Sequence, residues 1–448
     1  MLKVNSKKVE QGDTFIAIKS KIRDGHDFIE DAIEHGAACI IAEHGEYSVK
    51  TIIVRDTRKY LADYLKDLYA DKLNKMKIIG ITGTNGKTTS CYFIYQLLNK
   101  MGIKTAYIGT IGFYLNETRT PLVNTTPDLY DLYEMLVEAS NNDCQVVAME
   151  VSSQALDMRR LEGIMFDMAI FTNLTEDHLD YHQSMEEYEK AKMTLFQQLK
   201  GPAIINMDSP QGKDFVLAKN KNILYGQGDY DYKISDISTS TAQTTFKITH
   251  DNEIRNITLP MPGIYNAYNY MNAYIVCDLL KLDLSSIVDW TLSLKAPDGR
   301  YQMIKNDKYS VIVDYAHTPD AVANVLKSVT DFAEGKIITL IGCGGDRDKT
   351  KRPMIGKIAT YYSDYVYFTS DNPRTEDPEA ILKDITTNIE KSNFEIIVDR
   401  AEAIKKAIAN LEEKDILLIL GKGHEDYQII GKEKFPFSDV EEVKKYVK

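Results

Sequence analysis

Ile78-Ile79-Gly80-Ile81-Thr82-Gly83-Thr84-Asn85-Gly86-Lys87-Thr88-Thr89 carries the first decision about this chain. Apolar residues run into a glycine-rich turn. Ile94, Leu97, Leu98 and Met101 then recur at helical spacing until Gly102 supplies a stop. A strand, a glycine turn and a helix start in that order make a phosphate cradle. Backbone N–H groups and the Lys87 ammonium can face a triphosphate, and a hydroxyl of Thr88 or Thr89 can reach its Mg²⁺. The general Walker spacing would put its first glycine at Ile81, whereas this chain has Gly80 and Gly83.

The rest of the chain alternates strand-like and helical stretches. Residues 1–72 read as a small α/β unit with strand-like pieces at Thr14 to Ile18, Ala38 to Ala42 and Thr51 to Val54, and helical ones at Phe28 to His35 and Leu61 to Tyr69. Residues 73–297 hold apolar runs at Lys77 to Ile81, Gln145 to Val151 and Met168 to Thr172, as buried parallel strands do. After the turn-forming linker Lys295-Ala-Pro-Asp-Gly-Arg300, residues 298–448 show runs at Ser310 to Val313, Ile337 to Ile341, Tyr365 to Phe368, Glu395 to Val398 and Ile416 to Leu420. Helical patterns at Lys351 to Tyr362, Pro378 to Lys391 and Ala401 to Leu411 alternate with them, which predicts a doubly wound, Rossmann-like domain. The expectation is an α/β chain of three domains. A length of 448 residues agrees, at about 150 per domain.

Composition narrows the partners. Apolar residues at 44% and charged residues at 27% describe an ordinary globular protein. With 54 Lys and Arg against 66 Asp and Glu, the net charge of −12 is the wrong sign for a general nucleic-acid binder. Cys39, Cys91, Cys144, Cys277 and Cys343 form no CxxC pair, so neither a zinc site nor a disulfide framework is expected. No export signal and no membrane span are visible, and a cytoplasmic monomer is the expectation.

Glu150 closes the apolar Met149-Glu-Val, where a carboxylate is unwelcome unless paired, metal-bound or emerging into solvent. His178 sits in a carboxylate-rich loop; taken alone it suits a structural role. Ser184-Met-Glu-Glu187 reads as a capping box, and Met185, Tyr188, Lys192 and Leu195 then share one helix face. Lys192 is either a lysine extending its ammonium to water or a buried amine that can take up carbon dioxide as a carbamate, an anion able to ligate Mg²⁺.

G-x-x-G-x-N-G-K-T-T resembles the spacing of the Mur ligases, the ATP-dependent amino-acid ligases of peptidoglycan synthesis. So do Asn124-Thr-Thr-Pro-Asp128, Met149-Glu-Val-Ser-Ser153, Thr172-Asn-Leu-Thr-Glu-Asp-His-Leu-Asp-Tyr-His182, Asp314-Tyr-Ala-His-Thr-Pro319, Gly342-Cys-Gly-Gly-Asp-Arg-Asp-Lys349, Asp371-Asn-Pro-Arg374 and Gly421-Lys-Gly-His-Glu-Asp-Tyr-Gln428, which together resemble the MurE branch, the tripeptide synthetases. The resemblance implies an N-terminal domain for UDP, a central ATPase domain and a C-terminal domain for the incoming amino acid.

It implies roles as well. Gly83, Thr84, Asn85, Gly86, Lys87, Thr88 and Thr89 would hold the phosphates, with Asn266, Asn269, Arg300, Asp314 and His317 on the nucleotide side. Thr88, Thr89, Glu150, His178 and a carbamylated Lys192 would serve Mg²⁺; Lys87, Lys192, His178 and Glu150 would be catalytic. Ser6, Asn124, Thr125, Thr126, Ser152 and Arg160 would contact the UDP-MurNAc-dipeptide. Arg347, Asp371, Asn372, Pro373, Arg374, Gly421 and Glu425 would surround the diamino acid. The chain departs from the family at Asn5-Ser6-Lys7, where Asp-Ser-Arg is more common, and at Tyr301-Gln302, where Met-Glu is.

The implied reaction adds meso-diaminopimelate to the D-glutamate of UDP-MurNAc-L-Ala-D-Glu through an acyl phosphate. L-lysine or a sulfur-containing analogue in its place, folylpolyglutamate synthase, and a P-loop ATPase that makes no covalent product are the alternatives. Arg374 separates the first two substrates. Its planar fork matches the far carboxylate of diaminopimelate, which lysine lacks, unless it is instead paired with Glu376 or Asp377.

Overall fold

The computed structural model describes residues 1–21 and 23–447. Cα packing divides the chain into two compact units, one of Met1–Thr82, Ile103–Ala169 and Ala191–Pro202, the other of Gly83–Gly102, Ile170–Lys190 and Ala203–Lys448.

In the first unit, Leu2–Lys3, Thr14–Ile16, Cys39–Ala42 and Lys50–Ile53 form a four-stranded parallel sheet in chain order. Phe15, Ala17, Ile29, Ala32, Ile40 and Ala42 fill its core. Asp56 caps the helix Thr57–Leu73, accepting from the Lys59 N–H at 2.8 Å, and this helix packs on Leu129–Asn141. Lys77–Thr82, Val146–Glu150 and Thr105–Gly109 pair in parallel in that order. Val146–Glu150 is buried along its whole length, which is why its sequence reads as an apolar run as far as Glu150.

In the second unit the helix Lys87–Lys100 packs on Ile264–Leu279. Tyr232–Thr239, Thr244–His250 and Glu253–Leu259 make an antiparallel ribbon. The expected doubly wound domain is present: its sheet runs Gln302–Lys305, Ser310–Asp314, Ile416–Leu420, Ile337–Ile341, Tyr365–Phe368, Phe394–Ile396, parallel except for the first strand. Ile312, Leu418 and Val366 belong to one hydrophobic core and Val311, Leu417 and Leu340 to another, as adjacent residues of strands covered on both faces must.

Boundaries shift at several places: the helix expected over Leu61 to Tyr69 runs over Thr57–Leu73, and that expected over Ala401 to Leu411 over Arg400–Ala409. The helix expected over Pro378 to Lys391 ends at Thr386, because Asn388 adopts a left-handed φ of 59°. The strand expected over Glu395 to Val398 is Phe394–Ile396. In the helix Met185–Gln197 the Ser184 hydroxyl accepts from the Glu187 N–H at 3.2 Å, and Tyr188, Lys192 and Leu195 are buried as their spacing requires.

Candidate active site

The glycine-rich loop between Thr82 and Lys87 takes its shape from two glycines and a brace. Gly83 has φ +145° and Gly86 φ +86°, and a Cβ on either would collide with the Thr172 hydroxyl or the Asn269 side-chain oxygen respectively. The segment 172–175 holds the loop. Thr84 N–H donates to the Asn173 carbonyl at 2.9 Å, Asn85 N–H to Asn173 Oδ1 at 2.9 Å, and the Thr172 hydroxyl to the Asn85 carbonyl at 2.7 Å. Lys87 Nζ donates to the carbonyls of Gly83 and Thr84, both at 2.8 Å. Thr88 and Thr89 are buried in the first helical turn, and Arg300 Nη2 donates to the Thr88 hydroxyl at 3.3 Å.

A cavity of about 470 Å³ opens beside this loop, lined by Asn85, Gly86, Thr89, Asn266, Asn269, Arg300, Asp314 and His317 among others. Gly83, Thr84, Lys87 and Thr88 do not line it. Arg300 stacks over Tyr315, 4.5 Å from the ring centre. Asp314 accepts from the N–H groups of Tyr301 and Ala316 at 2.7 Å each, and burial raises its pKa against the pull of Arg300. His317 donates from Nδ1 to the Tyr315 carbonyl at 2.8 Å; burial lowers its pKa, opposed by Asp177.

Asp177, unassigned by the sequence, gathers three cations or potential cations. His178 Nε2 lies 3.4 Å from Oδ2 and Lys351 Nζ 3.6 Å from Oδ1, and His178, His317 and Lys351 together hold its carboxyl far below the usual range despite burial. His178 has φ +56° and stands at the start of the short helix Leu179–His182. A signal existed here. Asp-His inside an otherwise acidic loop is a charge pairing that spacing alone does not rank.

In the first unit Glu150 is fully buried. Its Oε1 accepts from the Tyr107 hydroxyl and from Thr110 N–H at 2.8 Å, and its Oε2 from the Thr110 hydroxyl at 3.1 Å. Tyr107 and Thr110 were not legible as partners, because the strand Thr105–Gly109 and the turn after it lie about forty residues away in sequence. Thr125 reaches the Thr110 hydroxyl at 3.0 Å; the Thr126 hydroxyl donates to the Glu150 carbonyl at 2.9 Å and accepts from Ser152 N–H at 3.0 Å; Arg160 donates to the Thr126 carbonyl at 3.0 Å. Thr125, Thr126, Ser152 and Arg160 therefore form one continuous network with Glu150. Asn124 is exposed, Ser6 is buried in its own turn at Ser6–Lys8, and Lys192 is 1% exposed.

At the carboxyl ends of the C-terminal strands two loops meet. Asn372 Nδ2 donates to Glu425 Oε2 at 2.7 Å, while Lys422 Nζ donates to Glu425 Oε2 and Asn372 Oδ1, each at 3.1 Å. Burial and the Asp371 carboxylate push the Glu425 carboxyl up; Lys422 and Asn372 oppose them. Gly421 has φ +110°, and a Cβ there would press on Asp371 at 2.7 Å. Arg374, half-buried behind Pro373 with φ +51°, donates from Nη1 to the Gly345 carbonyl at 2.7 Å. Glu376 is held by Arg352, at 2.8 Å and 3.0 Å, and Asp377 caps the next helix, so neither neutralises Arg374. Arg347 is exposed on the adjoining loop.

Family models match the chain in three stretches. Residues 1–72 match "Mur ligase family, catalytic domain", 81–277 "Mur ligase middle domain" and 299–423 "Mur ligase, glutamate ligase domain". The chain belongs to the Mur ligase family, and its three domains are those of a Mur ligase. A protein of Bacillus licheniformis named UDP-N-acetylmuramoyl-L-alanyl-D-glutamate--2,6-diaminopimelate ligase is 39% identical, with 100% of this chain and 94% of that protein covered. One of Clostridioides difficile with the same name is 42% identical over 98% and 92%. A solved structure of a ligase of that name is 35% identical with a TM-score of 0.71, covering 100% of this chain and 94% of the other. A MurF ligase from Thermotoga maritima in complex with ADP shares the fold at 21% identity and a TM-score of 0.67, over 94% of each chain.

Proposed function

We propose that this chain is an acid–amino-acid ligase that joins meso-diaminopimelate to the D-glutamate of UDP-MurNAc-L-Ala-D-Glu, converting ATP to ADP and phosphate in peptidoglycan precursor synthesis. Full-length identity to ligases of that name supports the reaction. Arg374 supports the amino acid: a half-buried guanidinium, with no carboxylate of the described residues in ion-pair distance, beside the Asn372–Glu425 pair. Diaminopimelate would place its far carboxylate on Arg374 and its far ammonium on Glu425.

A carboxylate cannot form an amide until one oxygen becomes a leaving group. A D-glutamate oxygen bonds to the γ-phosphorus as its bond to ADP breaks; the diamino acid's amine then bonds to the acyl carbon, phosphate leaves, and the amine sheds its proton. Lys87 and the N-terminal end of the helix Lys87–Lys100 neutralise phosphate charge, and Asn266, Asn269, Arg300, Asp314 and His317 position the nucleotide. Thr125, Thr126, Ser152 and Arg160, with Asn124 and Ser6, hold the nucleotide-sugar dipeptide.

Each unit by itself holds oxygen donors of the kind Mg²⁺ takes. In the first unit Glu150 is a buried carboxylate and Lys192 a buried lysine, which as a carbamate would add an anionic oxygen; in the second, Thr88 and Thr89 offer hydroxyl oxygens. Among the described residues no three His, Cys, Asp or Glu side chains make a metal cage, and Mg²⁺ bound through one or two protein groups and phosphates needs none. When bound, Mg²⁺ supplies charge neutralisation at the phosphates; His178 is assigned beside it. We place the domain limits at 1–72, 73–297 and 298–448, and the enzyme in the cytoplasm as a monomer. Among the described residues no helix is long and apolar enough to cross a membrane.

A competition assay tests the substrate. Offered diaminopimelate, L-lysine and a sulfur-containing analogue together, the enzyme is expected to give the diaminopimelate product by mass. A mainly lysine-containing product would replace the assignment.

A further inference from the structure

Behind the two diamino-acid loops lies an ion pair that the reaction itself does not require. Arg400 and Asp439 are both fully buried, bound through Arg400 Nε to Oδ1 at 2.7 Å and Nη2 to Oδ2 at 2.8 Å. The same guanidinium donates to the Leu420 carbonyl at 3.0 Å and, more distantly, to the Ser370 carbonyl at 3.5 Å. Leu420 immediately precedes Gly421, and Ser370 immediately precedes Asp371. One planar fork therefore ties the roots of both loops, and the charges of Asp371 and Glu425 act on Arg400 as well.

Stability alone is a poor reason for this group. Replacing a buried ion pair by apolar residues of similar size is often neutral or stabilising. Arg400 also opens the helix Arg400–Ala409, where a cation opposes the helix dipole. Position is the better reason, because bridging two carbonyls and one carboxylate from fixed directions needs a rigid multi-donor fork that lysine lacks.

We propose that Arg400, locked by Asp439, is a positioning residue for the diamino acid: it sets the separation of the loops carrying Asp371 to Arg374 and Gly421 to Glu425, and so the distance between the groups that receive the far carboxylate and the far ammonium. This rests on the diamino-acid site proposed above.

Two variants of the full-length enzyme test it: Arg400→Lys, which keeps the charge and loses the fork, and the double variant Arg400→Met with Asp439→Leu, which removes both charges together. Steady-state kinetics with ATP, UDP-MurNAc-L-Ala-D-Glu and diaminopimelate would be read with thermal midpoints. The expected result is a rise of at least tenfold in KM for diaminopimelate in both variants, KM for ATP within twofold, and a folded double variant. An unchanged diaminopimelate KM, an equal rise in both KM values, or failure of both variants to fold would overturn it by making the pair purely structural. If the unmutated enzyme makes no product with any diamino acid, the site reading and this inference fall together; normal unmutated activity with unaltered variants removes this inference alone.

Discussion

Lys87 rests on two carbonyls at 2.8 Å, partners a phosphate easily outcompetes because it carries full negative charge. Lys87→Ala should lower phosphate release by at least about 100-fold with unchanged circular dichroism, the scale of losing one preorganised charge-stabilising donor. Arg374→Ala should lose most activity with diaminopimelate and shift the diaminopimelate-to-lysine ratio by about 100-fold, from charged hydrogen bonds of about 1.5–3 kcal/mol each; paired kcat/KM measurements with both amino acids check it. Lys192→Ala should be nearly inactive and partly restored by a short carboxylic acid in the buffer, and full activity without additive would return Lys192 to the helix face. The sequence could not choose between Glu376, Asp377 and a ligand as partner for Arg374. Both carboxylates are close to Arg374 in the chain, and only folding shows that Arg352, more than twenty residues earlier, takes Glu376.

The loop from strand to helix was legible as an element because glycine spacing, a lysine and helical periodicity agree in one short window. Its brace was not. The Thr172 to Thr175 backbone and side chains hold the loop from about ninety residues away, a separation that local pattern does not encode. Gly86→Ala would put a Cβ against Asn269 in a left-handed conformation costing about 1–2 kcal/mol, so KM for ATP should rise at least tenfold. The ribbon around Asp251-Asn252 went unread although a signal was present: an Asp-Asn pair, residue types that tolerate the positive φ of 48° and 64° they adopt here, between two alternating runs. Glu376 joins the loops of the C-terminal domain, and Arg352 holds its pKa down to about 2 from 4.5. Its contribution is therefore full above about pH 4.5 and is lost as pH falls toward about 2. Glu376→Gln should lower the urea midpoint at neutral pH and flatten its decline across that acid window.

At the level of the molecule, the doubly wound C-terminal domain could be read because strands covered on both faces leave unbroken apolar runs, as Ile337–Ile341 and Ile416–Leu420 do. The division of packing into two units, each made of several stretches of chain, could not, since nothing local to Thr82 or Gly83 marks a change of unit. The central claim is that ATP cleavage is coupled to amide formation. The direct measurement is phosphate release and product mass in the same tube, with ATP and Mg²⁺ throughout and with UDP-MurNAc-L-Ala-D-Glu and diaminopimelate present together, singly or not at all. One phosphate per new amide, with only background release when either acceptor is left out, is the predicted result. Equal phosphate release without the acceptors, and no amide product with them, would contradict it and leave a nucleotide switch in place of a ligase.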